Sequence, residues 1–405
     1  MKKNVLFTIC VLFALRSISQ YSWTQKQSMP TSGRFYSTAF SIGHYGFVGG
    51  GSNGSSDVYD FWKWDKNTNT WTQIANYPGI GSAGLIAFTI NGIGYVGFGT
   101  SPSTVAKDLW AYDTTSGNWT PKATFPGTTA RYACFTFVIG NNAYVGCGDP
   151  GAPPYLNDVW EYNSVSNKWT QKTSFPLSND AGMVGFAIGK HGYAGTGGTG
   201  LGTDFNNFYE YDTASDTWTA TAALPYIGSG LDHDVSFIID NQGFVGTGRN
   251  TSLVSTREFW AYDTTTGTWG AIANLGGVSR NQGTSFSIGN CGYATTGMDS
   301  LNHPLNDLWQ YGPLPTGLDE RPTNVNIKIY PNPSNGILNF YYSGNIKKGE
   351  IKITDLVGRV NDFHEINGTN GRITINETTL PNGMYLYQLL DSDKLVSSGK
   401  FIIQK

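Results

Sequence analysis

The chain has 405 residues, including 52 Gly, 12 Trp, 23 Tyr and 22 Phe, and only 14% of its residues are charged. Soluble domains average about 25% charged residues, so a coiled coil or a charged helical bundle is excluded. An apolar content of 39% argues against intrinsic disorder. The net charge is −3 and no cluster of basic residues occurs, which argues against nucleic acid as a partner. The length allows two or three domains.

The N-terminus is typical of a secretory signal peptide. Met1-Lys2-Lys3 precedes an apolar run from Val5 to Leu15, which is too short for a permanent membrane helix. Small residues lead to cleavage after Ser19, so we expect residues 1–19 to be removed on export. Polar residues or glycines interrupt every later apolar stretch, and we therefore expect no transmembrane span and a secreted or outer-surface protein.

Aromatic residues recur through the next 290 residues or so at steps of 48–51, in three independent series. The first series contains Trp62, Trp110, Trp160, Tyr209, Trp260 and Trp309. The second contains Trp23, Trp71, Trp119, Trp169, Trp218 and Trp269. The third contains Phe40, Phe88, Phe137, Phe186, Phe237 and Phe286. A repeat of this length indicates an array of identical structural units, and the three series agree on six of them.

Each unit is predicted to form four short strands. In the third unit the strands are predicted over 131–139, 143–148, 158–162 and 168–172, with a tight turn at Gly140-Asn141. Four strands per unit, repeated six times, are typical of a six-bladed β-propeller. The fold class is therefore predicted to be all-β, and the propeller to extend over 20–311.

The two ends of the repeat predict how the ring closes. The sixth unit ends at Tyr311 without a second tryptophan, whereas an isolated strand with Trp23 precedes the first unit. We therefore expect residues 21–25 to form the outermost strand of the last blade, which would remove exposed sheet edges.

Several motifs in this region resemble the kelch repeat. They are the glycine pair Gly49-Gly50, the dipeptide Tyr112-Asp113 and the following Trp119, each with counterparts in other units. The resemblance covers residues 21 to about 311 and implies a kelch-like propeller. The sequence departs from the strict motif in its mostly split glycine pairs and at Thr295-Thr296-Gly297.

A different module follows a proline-rich linker at 312–325. Residues 326–405 contain no Trp, and none of the three aromatic series continues into them. Alternating apolar residues predict strands over 326–330, 336–340, 350–353, 372–375, 384–388 and 399–403. Short strands in about eighty residues predict a small antiparallel β-sandwich.

This tail resembles the type A sorting domain of the type IX secretion system. The motifs that carry the resemblance contain Tyr330, Pro331, Asn332, Pro333, Gly358, Arg359, Gly383, Tyr385, Gly399 and Lys400. In that family the tail directs passage across the outer membrane of Bacteroidetes-type bacteria, and it is usually removed on release or on attachment to surface lipopolysaccharide. The resemblance implies that the type IX machinery is a partner of this domain.

Candidate ligand-binding residues come from the start of the innermost strands, where loops converge at the channel rim. They are Arg34, Arg131, Asp180, Asp232, His233 and Arg280. Three arginines at matching positions could clamp a carboxylate or a sugar acid, and in some kelch proteins the matching arginines line the ligand pocket. Alternatively, each arginine ties down its own loop through backbone carbonyls.

The remaining chemistry is sparse. Asp232-His233-Asp234 could serve a metal or a general base, but the five histidines lie at unrelated repeat positions, so we expect no metal site and no cofactor. The residues of this chain do not supply the copper-ligand set of kelch-related copper oxidases, so we do not expect oxidase activity. Cys134 and Cys147 flank a predicted turn and either form a bridge or remain two small core residues.

The sequence favours a non-catalytic module that binds a protein or a carbohydrate at the propeller rim. The alternative is an exported sugar-acid epimerase acting on N-acetylneuraminate, because such enzymes are exported six-bladed kelch propellers with rim arginines. The variable loops between second and third strands are the expected places for partner selection.

Overall fold

A computed structural model of the chain describes residues 21–152, 154–177, 181–199, 202–228, 230–313, 326–355, 360–391 and 394–405. The chain divides into two compact units, with the boundary between Pro313 and Leu314. The predicted signal peptide and most of the predicted linker lie outside the described residues. In the described part of the chain, no helix is long and apolar enough to cross a membrane.

The described residues of the first unit form six main antiparallel sheets, five of four strands and one of five. The first three sheets contain β2 (Thr38–Ile42), β3 (Tyr45–Gly49), β4 (Phe61–Asp65) and β5 (Thr70–Ile74); β6 (Ala83–Ile90), β7 (Ile93–Ser101), β8 (Thr104–Val105), β9 (Leu109–Asp113) and β10 (Asn118–Pro121); and β11 (Phe135–Ile139), β12 (Asn142–Gly146), β13 (Val159–Asn163) and β14 (Lys168–Lys172). Apart from the short β8, each sheet follows the order of the chain.

The other three sheets have the same strand order, except that the outermost strand of the last sheet is β1. They contain β15 (Val184–Ile188), β16 (His191–Gly195), β17 (Phe208–Asp212) and β18 (Thr217–Ala220); β19 (Val235–Ile239), β20 (Gln242–Gly246), β21 (Phe259–Asp263) and β22 (Thr268–Ala271); and β24 (Thr284–Ile288), β25 (Cys291–Thr295), β27 (Leu308–Pro313) and β1 (Tyr21–Lys26). A separate two-stranded ribbon joins β23 (Arg280–Asn281) to β26 (Met298–Asp299).

The prediction for the two ends of the repeat is confirmed. β1 pairs antiparallel with β27 and is the outermost strand of the last sheet, with Trp23 opposite Tyr311. The last strand continues to Pro313, two residues beyond the predicted end of the repeat. The first strand of each sheet contacts the first strand of the next, and β24 contacts β2, so the cycle is closed.

The second and third aromatic series hold neighbouring sheets together. Where the next sheet has a glycine on its second strand, the third-series phenylalanine lies against that glycine. Phe40 lies on Gly94, and Phe286 lies on Gly46. A Cβ atom at Gly94 would lie 2.2 Å from the Phe40 ring, so only glycine permits this approach. Each tryptophan of the second series donates its indole N–H to a backbone carbonyl beside the adjacent sheet, as Trp23 does to Ala273 at 2.8 Å.

The departures from the strict glycine pair have a conformational explanation. The second position of the pair has φ near +60° in every unit. Gly50 adopts this value, and so do Phe98, Cys147 and Thr296. The following residue is always glycine, with φ between 85° and 103°. At Gly51 a Cβ atom would lie 2.5 Å from the carbonyl oxygen of Phe35, so this position excludes side chains more strongly.

Two predictions for the third sheet can be compared with the structure. The predicted strand over 131–139 begins only at Phe135, because Ala133 has φ 52°, which is incompatible with an extended strand. Among the described residues, Cys134, Cys147 and Cys291 form no disulfide, so the alternative of two small core residues without a bridge is the one observed.

The second unit contains one five-stranded antiparallel sheet in its described residues. Its strands are β28 (Asn326–Tyr330), β29 (Ile337–Thr354), β30 (Val360–Asn376), β31 (Gly383–Asp391) and β32 (Lys394–Ile403). The strands predicted separately over 336–340 and 350–353 are one long strand, β29, because register shifts near Ile346 let it bend without ending. The apolar core includes Phe340, Ile351, Tyr387 and Phe401.

Candidate functional site

The three arginines predicted at the rim lie inside the protein. Arg34, Arg131 and Arg280 are each only 1% exposed. Arg34 donates through Nη1 and Nη2 to both carboxylate oxygens of Asp60, at 2.9 Å each. The corresponding distances are 2.7 and 2.8 Å for Arg131 with Asp158, and 2.6 and 2.7 Å for Arg280 with Asp307.

Each of these ion pairs is completed by two further contacts within its own sheet. The arginine Nη1 also donates to a backbone carbonyl, that of Gly50, Cys147 or Thr296. The indole N–H two residues after the aspartate donates to the same carboxylate, as Trp62 does to Asp60 at 2.6 Å. Burial alone would raise the pKa of these carboxyl groups, but the paired arginine lowers it below the usual range. This geometry favours the alternative in which each arginine ties down its own loop.

The residues two positions after the arginine site form a closed ring of backbone hydrogen bonds. Each has φ of 52–71°, and each N–H donates to the carbonyl oxygen of the preceding member at 2.8–3.1 Å. We call this set the mouth ring; its members are Tyr36, Gly84, Ala133, Gly182, His233 and Gln282. The ring begins with Gly84 bonded to Tyr36 and ends with Tyr36 bonded to Gln282, so one residue from each sheet contributes.

The mouth ring lies at one end of a channel lined by the first strands of all six sheets. The cavity at the ring is about 90 Å³, whereas the two successive sections deeper in the channel are about 270 and 260 Å³. One liquid water occupies about 30 Å³, so the ring section accommodates only a few waters. A larger ligand at this end must therefore contact the outer side of the ring.

Aromatic side chains lie across one part of the ring. The His233 ring covers Gly182, where a Cβ atom would lie 3.0 Å from the imidazole. The Tyr36 hydroxyl lies 2.9 Å from His233 Nε2, and the two rings meet edge to face with centroids 5.2 Å apart. The Tyr132 ring covers Gly84 in the same way. The small residues of the mouth ring thus provide space for larger side chains contributed by neighbouring sheets.

Charged groups flank these aromatic side chains. Asp232 Oδ2 lies 2.9 Å from His233 Nδ1, and Asp232 Oδ1 lies 3.0 Å from Arg249 Nε. Burial would raise the pKa of Asp232, but His233 and Arg249 together lower it below its ordinary value. Asp232 is therefore ionised at neutral pH and orients both of its neighbours.

Two further carboxylates lie in the same region. Asp149 accepts the Tyr132 hydroxyl at 2.6 Å, and Tyr155 has a raised pKa because of burial and the nearby Asp149 and Asp232. Burial and the charge of Asp232 raise the pKa of Asp204 to about 6. We call the whole group the mouth cluster; it contains Tyr36, Tyr132, Asp149, Tyr155, Asp204, Asp232, His233 and Arg249.

The structure brings together two of the six predicted site residues, Asp232 and His233. Asp180 lies outside the described residues, and the three arginines lie in their separate buried pairs, so ligand binding by these four stays a prediction. The sequence interpretation missed the other members of the mouth cluster. The available signal was departure from the repeat, since the mouth-ring position holds Gly or Ala in three units but Tyr36, His233 and Gln282 in the others.

Most of the predicted sorting residues lie on the strands of the second unit. Tyr330 ends β28 and is exposed, and the Asn332 side chain accepts the backbone N–H of Ile402 at 2.9 Å. Tyr385 is buried, stacks on Phe401 and donates its hydroxyl to the carbonyl of Pro381. Gly399 gives space to the Tyr387 ring, which lies within 2.6 Å of the position a Cβ atom would occupy. Gly358 and Arg359 lie outside the described residues.

Comparisons with known proteins support both modules. The structure of YjhT, a kelch-type propeller, is similar to this chain with a TM-score of 0.58 and 14% sequence identity, over 70% of this chain and 96% of that one. The first unit therefore shares the β-propeller fold of YjhT. Residues 328–404 match the secretion system C-terminal sorting domain. Among curated proteins, no relative matches the sequence.

The sorting domain establishes the destination of the propeller. This domain marks proteins that are exported to the cell surface or secreted, and it implies handling by the type IX secretion system. The propeller with its mouth cluster is therefore exported to the cell surface or secreted. The likeness to YjhT concerns the fold alone.

Proposed function

We propose that the exported propeller is a six-bladed, non-catalytic binding module that takes a glycan at the mouth cluster. The observation that carries this proposal is the position of the cluster. Its aromatic and charged side chains lie beside a ring of backbone hydrogen bonds to which each of the six sheets contributes one residue, and several of them depart from the repeat. Loops held by a rigid scaffold are common sites of recognition.

The chemistry of the cluster suits a sugar better than an apolar ligand. Tyr36, Tyr132 and His233 offer ring surfaces for the C–H faces of a pyranose, together with polar tips that accept or donate hydrogen bonds. Asp149 and Asp232 provide carboxylate acceptors for pairs of hydroxyl groups. A small number of placed polar groups beside aromatic surface is typical of small-molecule sites.

The charge of the cluster favours a neutral or amino sugar over a sugar acid. Three carboxylates, those of Asp149, Asp204 and Asp232, lie near a single guanidinium group, that of Arg249, which is already engaged by Asp232. An incoming carboxylate would be repelled by these like charges. The arginines that could have clamped it, Arg34, Arg131 and Arg280, are buried in ion pairs.

Binding can be tested with the full chain on an array of bacterial and host glycans. We expect binding to neutral or amino sugars, reduced in Tyr36→Phe and in His233→Gln. Tyr59→Phe is the matched control, because the Tyr59 hydroxyl donates to the carbonyl of Ile80 away from the cluster. Equal binding by all four proteins would exclude the mouth cluster as the glycan site, and binding of a surface protein instead would change the ligand class.

The alternative, an N-acetylneuraminate epimerase, is supported by the kelch-type fold and by export alone. Its test is the rate of anomer exchange of N-acetylneuraminate, followed by NMR with and without the full chain. We expect no acceleration, because the cluster lacks a free cationic clamp for the sugar carboxylate. Acceleration that is lost in His233→Gln would establish the enzyme and reject the non-catalytic module.

We further infer that the second unit folds as a two-layered sandwich. His364 Nε2 and Glu377 Oε1 lie 3.5 Å apart although thirteen residues separate them, whereas an extended strand of that length would span roughly 43 Å at 3.3 Å per residue. The long hairpin of β29 and β30 must therefore fold back over its own first half. Contacts between Phe340 at the start of β29 and Tyr387 on β31 support the same arrangement.

A further inference from the structure

Three side chains of the types that ligate metals meet at the margin of the core of the second unit. Asp362, His364 and Glu377 place one ligand atom each within 4.8 Å of the others. Asp362 and His364 are two residues apart, Glu377 follows thirteen positions after His364, and the three carry no recognisable metal motif. The folded-back hairpin brings them together.

The backbone fixes each of the three. Asp362 and His364 are two residues apart on β30 and therefore share one face, while Phe363 between them is exposed on the other. His364 is paired with the fully buried Ile351, which directs its side chain toward the core side of the sheet. Glu377 directly follows β30, and its backbone N–H donates to the carbonyl of Gly336 at 2.6 Å.

The distances between the ligand atoms match a small coordination sphere. His364 Nε2 lies 3.3 Å from Asp362 Oδ2 and 3.5 Å from Glu377 Oε1. A tetrahedral site with metal bonds of about 2.0–2.1 Å has edges of about 3.4 Å. The two measured distances therefore correspond to edges of such a tetrahedron, with His364 at the shared corner.

The burial of Glu377 favours a compensating positive charge. Glu377 is only 4% exposed, yet a second carboxylate, that of Asp362, also reaches the His364 imidazole. Two carboxylates at the margin of an apolar core are unfavourable unless they are paired or coordinate a metal ion. A divalent cation between them would neutralise both charges at once.

We propose that Asp362, His364 and Glu377 bind a divalent transition-metal ion of the Zn²⁺ class, with water completing the coordination. A single imidazole beside two carboxylates suits Zn²⁺ better than Ca²⁺ or Mg²⁺, which prefer six or more oxygen ligands. The bound ion would link the distal half of the β29–β30 hairpin to the segment after β30, and so stabilise the sorting domain outside the cell. This differs from the sequence prediction of no metal site.

The test is calorimetric titration of ZnCl₂ into the full chain after chelator treatment and dialysis at neutral pH. We expect one ion per chain, and binding weakened by about a hundredfold in His364→Gln and in Glu377→Gln, since even outer-shell changes cost ten- to a hundredfold. His303→Gln is the matched control, because His303 pairs with Asp299 alone and is largely exposed. It should bind Zn²⁺ as the unmodified chain does.

Circular dichroism determines which variants are folded. If both buried-site variants unfold, Asp362→Asn decides the question, since the Asp362 side chain is 46% exposed and its removal leaves the core intact. We expect Zn²⁺ binding at least about tenfold weaker in this variant. Unchanged Zn²⁺ affinity in folded His364→Gln or Asp362→Asn, or the absence of any binding by the full chain, would mean that a protonated His364 alone bridges the two carboxylates and would overturn the proposal.

Discussion

Four arginines of the propeller fall into two groups with opposite surroundings. Arg34, Arg131 and Arg280 recur at one position of the repeat, are almost fully buried, and bond to an aspartate of their own sheet. Arg249 has no such counterpart, retains 28% of its side-chain exposure, and lies beside His233 and Asp232 in the mouth cluster. The repeated arginines support the fold, whereas Arg249, which lies outside that repeated position, belongs to the candidate site.

The same contrast holds for the aromatic residues. The tryptophans of the second series are repeated six times and hold neighbouring sheets through their indole N–H groups. Tyr36 and His233 occupy a position where other units have Gly or Ala, and they meet each other across the mouth. In a protein built from repeats, recurrence therefore marks packing and departure from recurrence marks the candidate site.

Deleting residues 21–28 is the strongest test of the repeated framework. It removes β1 and the contacts of Trp23 with Phe259 and Tyr311, and it exposes the edge of β27. Truncation of one buried tryptophan costs about 3–5 kcal/mol, so we expect the propeller to lose at least about 5 kcal/mol of unfolding free energy. Thermal melting followed by tryptophan fluorescence measures this loss, and an unchanged midpoint would show that the ring does not depend on β1.

Replacing one arginine from each group compares them directly. Arg131→Met leaves the Asp158 carboxylate without its paired charge and removes one donor to the Cys147 carbonyl, and we expect a loss of about 3 kcal/mol because one partner of a buried pair has been removed. Arg249→Met should cost less than about 1 kcal/mol, since that pair is partly solvated. Urea unfolding of both variants checks the difference. Similar losses in the two variants would remove the distinction between the groups.

Much of the fold could be predicted because its signals are periodic. The Trp and Phe series, the four strands of each unit and the pairing of residues 21–25 with the segment ending at Tyr311 all follow from repetition, and β14 lies where it was predicted. Strand starts were less predictable. The turn at Ala133 depends on a hydrogen bond to the neighbouring sheet, which no pattern within its own unit reveals.

The candidate site was predictable only in part, for a physical reason. Asp232 and His233 adjoin in the sequence and stood out as a pair. Arg249 lies opposite Asp232 at the end of the β19–β20 hairpin, and Tyr36 reaches His233 from another sheet of the ring. The sequence singled out the rim arginines by residue type and repeat position. Their aspartate partners lie 26 or 27 residues later, directly before the third strand of each sheet. Contacts of that kind become visible only in three dimensions.

Tyr36→Phe tests a residue that departs from the repeat. The substitution removes the hydroxyl that meets His233 Nε2 at 2.9 Å and keeps the ring in place. One hydrogen bond contributes about 1–1.5 kcal/mol, so we expect the loss of a bond from this hydroxyl to the glycan to raise the Kd about tenfold, and the loss of its bond to His233 to lower the unfolding free energy by about 1 kcal/mol. A Kd equal to that of the Tyr59→Phe control would show that the hydroxyl plays no part in binding.

The smallest effect concerns the pH dependence that the mouth cluster imposes on stability. Asp204 has an ordinary pKa of 3.8 that burial and Asp232 raise to about 6, so the folded chain binds its proton more tightly than the unfolded chain does. The ionised Asp204 therefore destabilises the fold above about pH 6, and this penalty disappears as the pH falls below about 4. Asp204→Asn should be more stable than the unmodified chain by about 1 kcal/mol at neutral pH, after allowance for solvent screening, and equally stable near pH 4. Urea unfolding at both pH values measures the difference.

Asp113→Asn is the control of opposite sign, because backbone hydrogen bonds from the repeated turn lower the pKa of Asp113. Loss of the Asp113 carboxylate should therefore destabilise the fold at neutral pH. If Asp204→Asn behaved like Asp113→Asn, the Asp204 carboxylate would be a supporting group of the framework and would have to be removed from the mouth cluster.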